Sequence, residues 1–442
     1  MRRRHGENRG YLVLPFFFAA AGAWLACGGA SPLSLGPAAS DASPPSVHDA
    51  GGVTTGDANG DDAGGDDAGP APTNDAGADV SAPIDAGGPL RTIPPAVLAR
   101  KAIAYSGYRT GQSPETQTYP SDAEIKSDLE LLIQGGWTFL RLFDCSPFAA
   151  SVMRVIQANS FDIKLMSGVW LAGDKAGFDA LNQTQITQCL ALYAQYGDMI
   201  AAVSVGNETL DDWSGVRVPP AELVAYIAQV RSQITQPVTT DDSYLPFELG
   251  TDGTTSYADV LQVAQTVDFL SLHVYAFSDA PYDSWDWEQL AVPAGPQRAQ
   301  AMMDAALAYT KASLNDVRTA LGAHGVNLPI VIGEAGWKTS PTDTEDDPTE
   351  IHRAHQVNQA MFYGPFIDWV YGASRDSASP AAAFTFEAFD EPWKTADDGW
   401  GLFDVNRMAR YAMWSSFPNL KPAGAPAYTS ADAVYYVPDA GP

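Results

Sequence analysis

From about Leu98 onward the chain alternates short apolar or β-branched runs with longer amphipathic stretches, and it does so eight times. The runs cover 102–105, 139–143, 163–169, 200–205, 238–240, 269–274, 329–332 and 383–386. Helical patterning lies between most of them, as at 221–234, 297–321 and 350–371. Another helix is expected to begin after Ser121, whose hydroxyl can cap it while Glu124 completes a capping box. Strands that alternate with helices form a parallel sheet with its helices outside. Eight such units in the roughly 320 residues available predict an α/β chain folded as a (β/α)8 TIM barrel. An open doubly wound sheet would carry a glycine-rich phosphate turn after its first strand, and Tyr105-Ser106-Gly107-Tyr108-Arg109 is not one.

A barrel of this kind places its chemistry at the C-terminal ends of its strands. Run four ends Val205-Gly206-Asn207-Glu208, and run seven ends Ile332-Gly333-Glu334-Ala335-Gly336-Trp337. Each stops at a glycine and then presents a glutamate. Strands four and seven lie across the ring from each other, so both glutamates can face one hollow. Two carboxyls about 5–5.5 Å apart are what glycosidic bond cleavage with retention requires: one attacks the sugar and the other protonates the leaving oxygen. A single glutamate in such a place would be read as a solvated loop charge; the pair changes that. By the strand period of two, Arg141 and Phe143 share a face. Arg141 could then reach Glu334 and keep it ionised, or pair elsewhere inside the barrel.

These segments resemble glycoside hydrolase family 17, the β-1,3-glucanase family. Gly206-Asn207-Glu208 looks like its acid/base motif. Glu334-Ala335-Gly336-Trp337 looks like its nucleophile motif, with Ala335 and Lys338 departing from the usual Thr and Pro. Phe389-Asp390-Glu391-Pro392-Trp393-Lys394, followed by Gly401-Leu402-Phe403, is similar to a third family segment. The resemblance runs from about Ala102 to Phe403. It implies a retaining β-1,3-glucan hydrolase that works through a covalent glycosyl-enzyme, with Glu208 as acid/base and Glu334 as nucleophile. It further implies substrate contacts from Tyr105, Asn207, Tyr275 and Trp337, bonds from Glu391 and Lys394 to the nucleophile region or sugar hydroxyls, with a structural ion pair on a loop as the rival for these two, and a chemistry that needs no cofactor and no metal. Transglycosylation would use the same residues, and a non-catalytic surface carbohydrate-binding barrel is the reading from another class.

Arg2, Arg3 and Arg4 precede an apolar run of about 16 residues, too short to span a membrane, that ends Trp24-Leu25-Ala26-Cys27-Gly28. This resembles a bacterial lipoprotein signal with Cys27 as the lipidated residue; ordinary secretion is the rival. Between Ser31 and Leu90 there is no Lys, Arg or aromatic residue, about ten aspartates, and a recurring Asp-Ala-Gly. Such a segment cannot offset its chain entropy by burial and reads as a charged tether, its ends roughly 40–45 Å apart on average. A calcium-binding repeat fits less well, because no acidic 12-residue loop with a terminal Glu occurs. The expected organisation is therefore 1–27 signal, 28–97 disordered linker and 98–442 barrel, with an extracytoplasmic, membrane-anchored location or else secretion.

A net charge of -28 argues against nucleic-acid binding and against adhesion to anionic lipid, so any membrane link is through a lipid anchor alone. The expected partner is a β-glucan, and the expected state a monomer. Of the three cysteines, Cys145 and Cys189 could pair in an oxidising compartment or pack as buried thiols. Trp285 and Trp287 suit either sugar stacking or loop packing, and Trp170 is a weaker candidate for the cleft. His273 reads as an interior histidine or a cleft hydrogen bonder. His352 and His355 lie on a helix pattern without an HExxH, and no Gly-x-Ser-x-Gly elbow exists.

Overall fold

The computed structural model describes residues 89–438 apart from 174, 251–256 and 283. The signal, Cys27 and the linker up to residue 88 lie outside the described residues. Eight parallel strands close into a barrel in chain order. They are β1 Lys101–Ala104, β2 Trp137–Leu142, β3 Lys164–Val169, β4 Ile200–Asn207, β5 Val238–Ser243, β6 Leu270–His273, β7 Ile330–Ala335 and β8 Ala383–Thr385. The helices are α1 Pro95–Leu98, α2 Asp122–Gln134, α3 Pro147–Asn159, α4 Phe178–Tyr196, α5 Pro220–Arg231, α6 Tyr244–Leu249, α7 Tyr257–Thr266, α8 Ala276–Asp279, α9 Pro296–Gly322 and α10 Gln356–Tyr371. Among the described residues, no helix is long and apolar enough to cross a membrane.

The local chemistry sets the element ends. At α2, the Ser121 oxygen accepts from the Glu124 N–H while Glu124 Oε2 accepts from the Ser121 N–H at 2.8 Å, the capping box expected there. The stretch 350–371 splits, because His355 caps α10 by accepting from the Val357 N–H and a 3-10 turn precedes it. No α-helix follows β8 among the described residues, so the eighth unit lacks its helix. Instead the chain after residue 404 is sewn onto α9 and α10: Arg298 Nη1 donates to the Tyr436 carbonyl at 2.9 Å, and Asn358 exchanges two hydrogen bonds with Val434.

The barrel interior has two halves. Its lower half is apolar, with Ala102, Phe139, Met166, Ala202, Phe269, Val331 and Phe384 packed together and the rings of Phe139 and Phe384 4.7 Å apart. Ile93 and Val97 join this cluster and close the bottom. The Arg91 backbone N–H donates to Asp268 Oδ1 at 2.8 Å, and its guanidinium reaches the carbonyls of Arg231, Ile234 and Gln236. Residues 91–97, assigned from composition to the linker, are thus part of the barrel, since two apolar side chains and one arginine find buried partners there. The upper half of the interior is polar and carries the candidate site.

Cys145 and Cys189 form a disulfide with their Cα atoms 5.1 Å apart, joining the loop after β2 to α4. It closes a 44-residue span, for which cross-linking stabilises a fold by about 2–4 kcal/mol, chiefly through the unfolded chain. The paired replacement Cys145→Ala with Cys189→Ala should lower the unfolding free energy by about that amount. Urea titration of wild type and variant checks it; equal stabilities would remove the disulfide as a structural support.

Candidate active site

Both motif glycines sit at one-residue bulges. Between the pairs Ser204↔Thr239 and Asn207↔Asp241, β4 holds two residues where β5 holds one. Between Ile332↔Ala383 and Ala335↔Thr385, β7 holds two where β8 holds one. Bulges next to active sites re-aim side chains. Val331 points into the barrel, so strict alternation would turn Glu334 outward; the extra residue at Gly333 brings it in. A Cβ on Gly333 would come within 2.9 Å of Asp241 Oδ1 and 3.1 Å of His273 Cδ2, so the close approach needs glycine. On β4 the bulge at Gly206, with φ of 88°, turns Asn207 inward, and Glu208 itself adopts a left-handed φ of 53° that keeps its carboxyl facing the barrel axis. That conformation is held from β5: the Glu208 N–H donates to the Asp241 carbonyl at 2.7 Å, and the Leu210 N–H donates to Asp242 Oδ1 at 2.7 Å.

The two carboxyls share one buried hollow. Glu208 is 8 % exposed and Glu334 5 %. Single oxygens of each and a ring nitrogen of His273 all lie within 4.8 Å of one another. Three groups fix Glu334. Arg141 Nη1 bonds its Oε1, the Tyr275 hydroxyl donates to its Oε2, and His273 Nε2 stands 3.6 Å from Oε1. Arg141 also donates to Asp241 Oδ2 at 2.9 Å and to Asn207 Oδ1 at 2.6 Å, and its guanidinium lies over the Phe143 ring at 4.6 Å. With its oxygen taken, the Asn207 amide turns its NH2 away from the guanidinium. His273 Nδ1 lies 2.9 Å from Glu208 Oε1.

These environments push the two acids apart. Burial raises Glu208 above the usual carboxylate range; the His273 hydrogen bond and charge only partly oppose this, and the Glu334 charge adds to it. Burial also acts upward on Glu334, but the charges of His273 and Arg141 and the bonds from Tyr275 and Arg141 together bring it below its ordinary value. The two acids are thereby pushed in opposite directions, Glu208 toward its protonated form and Glu334 toward its ionised form, the division a retaining displacement needs. Behind Glu208, Asp211 is pushed up to about 7, first by burial and then by the Glu208 charge, while the Ser243 N–H and hydroxyl donate to it. Glu208, His273 and Glu334 could offer one ligand atom each to a metal ion, but Glu334 Oε1 is already occupied by a guanidinium that a metal would have to displace.

Of the residues singled out from sequence, the hollow brings together Glu208, Glu334, Arg141, Phe143, Asn207 and Tyr275. Tyr105 is elsewhere. Ala102 and Ala104 point inward, so period two sends Tyr105 outward, where its hydroxyl donates to Asp128 Oδ2 at 3.2 Å on α2. Trp337 is also not a cleft residue: it is 1 % exposed behind β7, packed against Phe277 and Phe362, with its indole N–H on the Arg353 carbonyl at 2.8 Å. Glu391 and Lys394 do not bond Glu334. They pair with each other, Lys394 also reaches Glu387 Oε2 at 3.4 Å, and Ser106 bonds Glu391. Trp285 and Trp287 are loop packing, on Tyr309 and Tyr436. Lys338 is buried and bonds Glu350 Oε1 at 2.8 Å outside the hollow. His273 is both interior and a hydrogen bonder in the hollow, the two readings open for it, whereas Asp241 and Asp211 were not expected in or beside the site. Period two along 269–274 points His273 inward with Phe269 and Ser271, and extending run five by one residue would have placed Asp241 beside Thr239.

Residues 102–403 match the BtgE/BtgC glycoside hydrolase domain family. A probable glucan endo-1,3-beta-glucosidase, eglC, of Aspergillus niger is 27% identical over 277 residues, 58% of this chain and 54% of that protein. A glucan 1,3-beta-glucosidase of Arthroderma benhamiae is 26% identical over 336 residues, 73% of this chain and 93% of that protein. The chain thus spans about half the length of the first of these relatives. Among solved structures, an endo-laminarinase from Formosa Hel1_33_131 shares the fold, with a TM-score of 0.64 and 24% identity over 74% of this chain and 90% of that one.

The histidine between the carboxyls makes stability depend on pH. Its pKa is raised from 6.5 to about 9, because the charge of Glu334 and the bond and charge of Glu208 outweigh burial. A raised histidine stabilises the fold fully below its unfolded value, and the contribution fades as pH rises through the folded one. The thermal midpoint should therefore fall between pH 6.5 and about 9, and His273→Gln should flatten that decline. Melting curves of both proteins across the window check it; an identical slope in the variant would show that His273 is not charged in the fold.

Proposed function

The chain belongs to the BtgE/BtgC glycoside hydrolase domain family, and on that premise we propose that it cleaves β-1,3-glucan by double displacement. The observation that carries this reading is the approach of Glu208 and Glu334 to within 4.8 Å, in surroundings that push the first carboxyl up and the second down. That separation leaves no room for a water between carboxyl and sugar and suits direct attack. Glu334 attacks the anomeric carbon and forms the glycosyl-enzyme, while Glu208 gives its proton to the departing oxygen. Glu208, now a carboxylate, takes a proton from water as that water attacks the same carbon, and Glu334 leaves. Arg141, His273 and Tyr275 hold Glu334 ionised and fixed in direction, so little reorganisation remains at the reacting centre. Asn207, with its NH2 free of the guanidinium, suits the hydroxyl beside the reacting carbon.

The finer placement in glycoside hydrolase family 17 rests on the three motif segments around Glu208, Glu334 and Glu391. The β-1,3 linkage is supported by the printed names of the Aspergillus and Arthroderma relatives. A sugar acceptor in place of water would make the same site a transglycosylase. The protein is further proposed to act outside the cytoplasm, as a monomer, tethered through Cys27 by the acidic linker and of bacterial origin. The lipoprotein-like start and the Cys145–Cys189 disulfide, a bond of oxidising compartments, support the location.

Purified protein incubated with laminarin should release new reducing ends, or longer products if a sugar is the acceptor. Glu208→Ala and Glu334→Ala should each lower kcat by about a thousandfold or more. Azide added with an activated aryl glycoside should restore turnover to the Glu208 variant, giving a β-glycosyl azide, and to the Glu334 variant, giving the α-anomer. Full activity in either variant would remove that residue from its role, and no reaction on any glucan would end the proposal.

A further inference from the structure

The leaving sugar must lie where Glu208 can protonate it, over β4 and β5. In a ring closed in the order β1 to β8, β8 and β1 lie across from β4 and β5, so a glucan whose leaving end is over β4 and β5 has its other end directed across the mouth toward them on the β-glucan reading. Three loops converge on that far rim: 105–120 after β1, 143–146 after β2 and 386–400 after β8. They bring together a cluster that the hydrolytic chemistry does not use. Tyr108 is buried at its centre, with the Tyr119 ring 6.3 Å away and the Trp393 ring 6.2 Å away edge-on. Tyr119 and Trp393 are both only half-buried. The Trp393 indole N–H donates to Glu391 Oε1 at 3.0 Å, which fixes the plane of the ring. Asp144 is half-buried, within electrostatic reach of both tyrosines, and is anchored by the Ser146 N–H at 3.1 Å.

We propose that Trp393 and Tyr119, backed by Tyr108, form a sugar-stacking subsite on the non-reducing side of the cleaved bond, with Asp144 accepting hydrogen bonds from sugar hydroxyls. The inference rests on the β-glucan reading above. Its physical basis is that a pyranose ring presents a face of C–H bonds to an aromatic ring, whose negative π-face attracts their positive edge. A carboxylate is the strongest acceptor a protein offers to hydroxyls. Rings held by a buried tyrosine and by a bond to Glu391 lose little freedom when a sugar binds, which favours affinity. The cluster also gives the third family segment a use beyond its ion pair: Glu391 and Lys394 are the support on which Trp393 is mounted, not contacts to Glu334.

The test uses laminarihexaose labelled at its reducing end. Trp393→Ala should raise KM by roughly tenfold, about the loss of one stacked ring, while kcat changes less than about twofold. Cleavage should move toward the non-reducing end, giving longer labelled products, because fewer sugars are then held on that side. Tyr119→Ala should shift both readouts the same way by less, and Trp393→Phe should recover most of the wild-type pattern. If the alanine variants keep the wild-type KM and cleavage positions, the subsite does not exist. Should Trp393→Ala fail to fold, the Tyr119→Ala and Trp393→Phe pair decides on the same readouts. Wild-type protein that cleaves no laminari-oligosaccharide would instead overturn the β-glucan reading, and this subsite with it.

Discussion

One guanidinium organises the upper half of this barrel. Arg141 is 1 % exposed, and a charge so removed from water is tolerated only when it is paired and hydrogen-bonded on every side. Its partners come from three other strands: Asn207 on β4, Asp241 on β5 and Glu334 on β7. The requirement that the arginine be satisfied therefore sets where these strands end relative to one another. The guanidinium also bears on the ionisation of the site, because its charge joins that of His273 in bringing Glu334 below its ordinary value. His273 adds a second cation between the glutamates. Both acids are buried, and the asymmetry between them comes from what each touches: Glu334 has two cations and a phenol, whereas Glu208 has one histidine.

Backbone geometry makes that arrangement reachable. A parallel strand that keeps strict alternation puts every second side chain on the helix side, and Glu334 would be among them. One inserted residue on each of β4 and β7 changes this, and both insertions fall at the glycine before the acidic motif. Gly333 serves a second need, since its missing side chain leaves room for Asp241 and His273 beneath it. The left-handed Glu208 is a local strain that β5 holds in place through bonds to its own backbone and to Leu210.

The lower half of the barrel does different work. Apolar side chains fill it, and residues 91–97 close it with two apolar groups and an arginine that bonds three backbone carbonyls. This end is sealed while the other is open and charged. At the rim, the place of the eighth helix is left to turns, and the irregular chain beyond them is bonded to α9 and α10.

The amino-acid sequence alone determined the barrel class, the order of its strands, the capping box at Ser121 and the two glutamates, because each of these follows from local periodicity or from residues adjacent in the chain. It also placed Arg141 and Phe143 on one inward face, since alternation within a single strand is a local property. What only the tertiary structure decided depends on register between strands far apart in sequence. It turned Tyr105 and Trp337 away from the hollow, set His273 between the acids, drew Asp241 and Asn207 onto Arg141, joined Cys145 to Cys189, and carried residues 91–97 into the fold. A one-residue bulge reverses which side of a sheet a side chain occupies, and nothing in a single strand's composition announces it. Long-range pairing of buried charges is hidden for the same reason: the partner of Arg141 lies 193 positions away, and only closure of the barrel brings it within reach.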